Sequence, residues 1–169
     1  MNEAGRKKLD ELAKEMTAFY RGDPARVQHF MKVNAYSALI ARLEGIDEKT
    51  SFKLEAAAYT HDIGIRPAEE TYGSSNGKLQ EKLGPPAAGE MLGRLGFEDE
   101  VIERVCNMIS RHHTYTGIDS PELQILIEAD FIVNLFEENA GDETIDTAIR
   151  KIFRTASGIA PAKTIFDRE

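Results

Sequence analysis

The run Ala56-Ala57-Ala58-Tyr59-Thr60-His61-Asp62-Ile63-Gly64 constrains the fold of this chain more than any other stretch. Three consecutive alanines let neighbouring helices approach closely, which suits a central element surrounded on most sides. An imidazole and a carboxylate then stand back to back, and Gly64 ends the element. A buried His-Asp pair is costly unless compensated, because buried charge or unpaired polar groups cost several kcal/mol or shift a pKa. A divalent cation is the obvious compensation. His29, His112, His113 and Asp130, a lone aspartate in the apolar run over 125–133, complete a set of donors.

The rest of the chain reads as helices. Leu9, Leu12, Met16 and Phe19 recur at steps of three and four, predicting a packing helix over about 3–20. Asp23 and Pro24 then start a second helix, to about residue 44, on which His29 shares the inward face of Val33, Tyr36 and Ile40. Asp47 caps a third, over about 48–62. The segment 66–82, with Gly73, Ser74, Ser75, Asn76 and Gly77, predicts a mobile loop or lid. Pro85-Pro86 restarts a short helix to about residue 95, and another runs from about 98 to His112, with His113 turned about 100° away. Ser120-Pro121 opens the helix that carries Asp130 on its buried stripe, and a last helix spans about 143–156, followed by an uninformative tail. Nothing alternates as a strand would, so the fold class is all-α.

At 169 residues the expectation is one domain over 1–169, with a core of about 23–137 and the N-terminal helix, C-terminal helix and tail packed on it. A net charge of −8 argues against a nucleic-acid polymer or a membrane surface as partner. The one cysteine, Cys106, cannot form an internal disulfide, and no apolar run reaches a membrane span, so a cytoplasmic protein is expected. A homodimer is left open.

A histidine on an apolar helix face is commonly a hydrogen-bonded core residue. Here all four fall at inward or helix-terminal places, and Asp62 and Asp130 lack a basic neighbour on their own helices. Imidazole and carboxylate together suit Mn, Fe, Co, Ni or Zn, and the absence of a cysteine cluster excludes a thiolate zinc site.

The separated His29, the doublet His61-Asp62 and then Asp130, all on predicted helices, resemble the HD superfamily of metal-dependent phosphohydrolases over about 23–137. Residues 128–134, Glu-Ala-Asp-Phe-Ile-Val-Asn, resemble its last motif. The resemblance implies an HD-type helical bundle with His29, His61, Asp62 and Asp130 as ligands of one divalent transition metal ion. His112-His113 resembles a doublet that in some members binds a second metal or the substrate phosphate, so a second ion near His112 or His113 stays open. The segment 80–85 lacks the further histidine of two-metal members, which favours a mononuclear site. Ile65-Arg66 and 114–118 depart from the cyclic-dinucleotide phosphodiesterase branch, and Ile65 stands where the nucleotidase branch often has glutamate, so the general base is unassigned.

The resemblance therefore implies a hydrolase acting on a phosphomonoester of a nucleotide or similar small metabolite. Asp62, His112 and Arg66 are the expected catalytic residues, and Arg26, Arg66, His112 and His113 are expected to hold the substrate. Among the nearby cations Lys78, Lys82 and Arg111 are weaker candidates. Arg66 lies closest to the metal motif, with a planar fork for two phosphate oxygens. A metal- or nucleotide-binding regulatory domain with little turnover is the alternative.

Overall fold

The structure, a computed structural model, describes residues 1–168. Among them are nine helices and no strand: α1 (Glu3–Phe19), α2 (Pro24–Leu43), α3 (Glu48–Thr60), α4 (Ile65–Tyr72), α5 (Gly77–Arg94), α6 (Asp99–Ile109), α7 (Pro121–Glu137), α8 (Asp142–Lys151) and α9 (Ala156–Ile165). The helix starts follow local chemistry. The side chains of Asn2, Asp23, Asp47, Asn76, Ser120 and Thr155 each accept a hydrogen bond from a backbone N–H of the first turn, satisfying donors a helix otherwise leaves orphaned.

α3 is the hub. It packs against α1, α2, α6 and α7, and its Ala56, Ala57 and Ala58 are fully buried. α7 lies against α2, α3 and α9, with all of Glu122–Asp130 buried. α5 packs on α4 and α6. Core side chains such as Leu54, Leu92, Met108 and Leu126 are wholly removed from water, at about 1.5–3 kcal/mol each for the transfer.

Buried Glu128 ties the C-terminal part to α7. Its carboxylate accepts from the Gln124 amide (2.7 Å), the backbone N–H groups of Arg154 (2.6 Å) and Thr155 (2.9 Å), and the Thr155 hydroxyl. A Cβ on Gly158 would stand 2.0 Å from Glu128 Oε2, so glycine is required there.

The segment expected as a mobile lid, 66–82, is a correction. α4 and α5 occupy most of it, with residues 73–76 as the break between them. Asn76 starts α5 well before Pro85-Pro86, and both prolines lie inside the helix, where the Pro85 carbonyl accepts from Cys106 Sγ at 3.2 Å. Tertiary contact outweighs local preference here. A Cβ on Gly64 would lie 2.7 Å from both Gln80 O and Gly84 N, and one on Gly84 would lie 2.6 Å from Ile109. The glycines let α5 cross directly over the turn after α3.

Three boundaries also move. α3 ends at Thr60, which places His61 and Asp62 in the following turn. α6 ends at Ile109, so His112 and His113 sit in a turn as well. α8 closes at Lys151, and the tail forms α9, with Pro161 inside it. Among the described residues no helix is long and apolar enough to cross a membrane.

Candidate metal centre

The turn over 61–64 is built from its own backbone and from α1. Ile63 N–H donates to Thr60 O and Ile65 N–H to Asp62 O, each at 3.0 Å. The buried Tyr20 hydroxyl donates to the same Asp62 carbonyl at 2.7 Å. Burial, then the Asp62 charge, push the Tyr20 phenol well above its ordinary pKa, so it remains a donor.

Four side chains from three places in the chain converge beside this turn. His29 Nε2 on α2 lies 3.2 Å from His61 Nε2, 3.2 Å from Asp130 Oδ1 on α7 and 3.4 Å from Asp62 Oδ2. His61 Nε2 is 3.5 Å from both carboxylates. Donors sharing one ion through bonds of about 2.1 Å stand roughly 3.0–3.4 Å apart at octahedral or tetrahedral angles. The separations from the two histidines are close to that spacing; His29, His61 and Asp130 offer donor atoms all within 4.8 Å of one another, and Asp62 reaches this set through its approach to the two histidines.

The hydrogen bonds behind the rings decide what the inward atoms are. His61 Nδ1 donates to Ala58 O at 2.9 Å, and His29 Nδ1 donates to Glu137 Oε2 at 2.8 Å. In neutral imidazoles each Nε2 is then a lone pair. Two lone pairs thus lie 3.2 Å apart, each 3.2–3.5 Å from both carboxylates. Asp130 Oδ1 is buried with no hydrogen-bond partner among the described residues. Such a cluster calls for positive charge at its centre. In the metal-free protein a proton answers. Burial lowers the His61 pKa, but Asp62 and Asp130 more than reverse this and raise it to about 9. Burial alone would raise both carboxyls, yet the surrounding histidines hold Asp62 and Asp130 well below the usual carboxylate range.

A second set adjoins the first. Asp62, His112 and His113 offer donor atoms within 4.8 Å of one another. Asp62 serves both sides, with Oδ2 toward His29 and His61 and Oδ1 3.6 Å from His112 Nε2. His112 Nδ1 donates to Ile109 O at 2.7 Å, leaving Nε2 buried and without a hydrogen-bond partner among the described residues. His113 is oriented by Gln80, whose Nε2 donates to Ser75 O at 2.6 Å, which turns Oε1 toward His113 Nε2 at 2.9 Å. That oxygen accepts, so His113 carries its hydrogen on Nε2 and its lone pair on Nδ1. Burial and then His112 pull the His113 pKa down to about 4.

The six histidine and aspartate positions expected from the sequence therefore come together, while the two arginines are engaged elsewhere. Arg26 donates to both Glu69 oxygens, at 2.9 and 3.2 Å, and pairs with Asp23 at 3.3 Å. Arg66 donates to the Phe19 carbonyl and lies over the rings of Phe19 and Tyr20. Arg111 pairs with Asp119 at 2.6 Å, and Lys78 and Lys82 are exposed.

Three supporting residues escape a reading of the sequence. Glu137 accepts from His29 and, at 2.6 Å, from Lys32. It stands seven residues after Asp130, two helical turns along the same face, and that spacing is its one signal. Gln80 and Tyr20 have none.

The profile of the HD domain family matches residues 26–135. The crystal structure of a predicted HD superfamily hydrolase from an uncultured Thermotogales bacterium is similar, with a TM-score of 0.64 and 26% sequence identity. The match covers 96% of this chain and 84% of that one. No curated protein matches the chain.

Proposed function

The chain belongs to the HD domain family, and on that premise we propose that it is a metal-dependent phosphohydrolase cleaving a phosphomonoester of a nucleotide or similar small metabolite. The observation that carries the reading is the convergence of His29, His61 and Asp130, with Asp62 Oδ2 3.4 Å from His29 and 3.5 Å from His61 and with an unsatisfied Asp130 oxygen among them. The description of the similar structure as a predicted hydrolase supports it.

A divalent cation held by these four residues would acidify water and polarise a phosphoryl oxygen. The chain's own groups do the rest. Asp62 faces both donor sets, so it fixes where an attacking water can stand. His112 Nε2, buried and unpartnered beside Asp62 Oδ1, is the proton carrier: it takes the proton that water loses as the new P–O bond forms, and returns it to the leaving oxygen as the old bond breaks. A second ion would be held by His112 and His113 together with Asp62. Arg66 has donors left beyond its bond to Phe19 O, and these receive phosphate charge.

Phosphate release from a panel of phosphomonoesters and cyclic nucleotides, by protein loaded in turn with Mn, Fe(II), Co, Ni and Zn, tests this. Release should follow the metal and vanish in Asp62→Ala. One observation favours a regulatory domain with little turnover instead: Arg26 and Arg66 are already bonded within the protein. Tight nucleotide binding by fully loaded protein without product over hours would select that reading.

A further inference from the structure

A cavity of about 250 Å³ lies between the segment after His113 and the turn joining α8 to α9. Its walls include Tyr115, Ile118, Gln124, Lys151, Ile152 and Arg154. We propose that it is an oxyanion subsite that receives a second phosphate of the substrate, so that the preferred substrates carry two phosphate groups. This rests on the phosphohydrolase reading for the word substrate, and on the cavity alone for the anion.

The charge is local and unusual for a chain of net charge −8. Lys151 is exposed, and its ammonium has no partner among the described residues. Arg154 is held in place by its own backbone: Nη1 donates to Phe153 O at 2.6 Å and Nη2 to Lys151 O at 2.5 Å. Two of the five guanidinium N–H groups are thereby used, leaving three for a ligand on a group already fixed in position. A guanidinium held at two of its N–H groups and an exposed ammonium in the walls of one cavity suit a phosphate, which accepts from both.

The remaining walls fit the same kind of molecule. Gln124 gives both amide hydrogens away, to Glu128 Oε1 at 2.7 Å and to Ile152 O at 2.9 Å, so it can only accept, as from a sugar or polyol hydroxyl. Tyr115 is the wall that lies toward the metal centre, close enough for the Asp130 charge, after burial, to push its phenol up. It follows His113 by two residues and packs edge-on against Phe131, the neighbour of Asp130, with ring centroids 5.1 Å apart.

The test begins without metal or turnover. Protein stripped of metal is titrated calorimetrically with inorganic pyrophosphate. One pyrophosphate should bind per chain, Lys151→Glu and Lys151→Ala should each weaken it, the former by at least ten-fold, and Asp62→Ala should retain it. Absence of binding, or equal binding by Lys151→Glu, overturns the subsite. On metal-loaded protein, Lys151→Glu should raise KM for doubly phosphorylated substrates at least ten-fold more than for singly phosphorylated ones, and an equal rise overturns it as well. Turnover without pyrophosphate binding would remove the cavity and keep the hydrolase; binding without turnover would do the reverse.

Discussion

His29 shows how a candidate ligand recruits residues that carry no signature of their own. Its inward nitrogen is a lone pair only because Glu137 takes the hydrogen on the other side, and Glu137 is steadied in turn by Lys32. Carboxylates behind metal-binding imidazoles tune orientation and basicity, and their loss typically costs ten- to a hundred-fold in metal affinity. Glu137→Gln keeps the shape and removes the charge. It should weaken metal binding about ten-fold in competition against a chelator; unchanged affinity would leave Glu137 a surface ion pair and no more. The histidines and aspartates were legible from residue type and from their inward or helix-terminal places, although His61, Asp62, His112 and His113 lie in the turns after α3 and α6. Glu137 and Gln80 were not, since their roles exist only once α7 reaches α2 and α5 reaches the His112-His113 turn.

Proton competition at His61 belongs to the same scale. Its pKa is raised from 6.5 to about 9 in the metal-free fold. The proton's contribution to the stability of metal-free protein is thus fully present below pH 6.5 and is lost as pH rises through about 9. An arriving cation must expel that proton. Metal affinity should therefore climb with pH, by up to about ten-fold per unit, and level off above about 9. Affinities measured from pH 6 to 10 check this, and a flat profile would contradict the shift.

Among the elements, α3 with its following turn and α5 cross more closely than side chains would permit. The stretch of glycines and serines before α5 reads locally as a loop, and the paired prolines read as a helix start. What local propensity could not reveal is that Gly64 and Gly84 meet backbone to backbone and that Gly77 lies against the His113 ring. These contacts favour helix where the residues alone favour turns. α3 was legible for the opposite reason, because its alanine run, apolar spacing and Asp47 cap all agree. Gly64→Ala would push a methyl into Gln80 O and Gly84 N. A loss of about 1–3 kcal/mol in urea unfolding is expected, together with weaker metal binding, because the same turn carries His61 and Asp62. Full stability in this variant would mean that the crossing is looser than described.

On the scale of the whole molecule, the centre joins α2, the turn after α3, the turn after α6 and α7, which lie far apart in sequence. A cation bound only by the folded chain stabilises all of them together, by about 4 kcal/mol at a thousand times Kd. The most direct measurement is titration of metal-stripped protein with Co(II), following the visible ligand-field bands and the melting temperature together. The convergence of His29, His61, Asp62 and Asp130 predicts saturable bands, a melting temperature that rises with them, and loss of both in His61→Ala and Asp130→Ala. A stripped protein that binds no Co(II), or variants that bind it as the native chain does, would contradict a metal centre at this site.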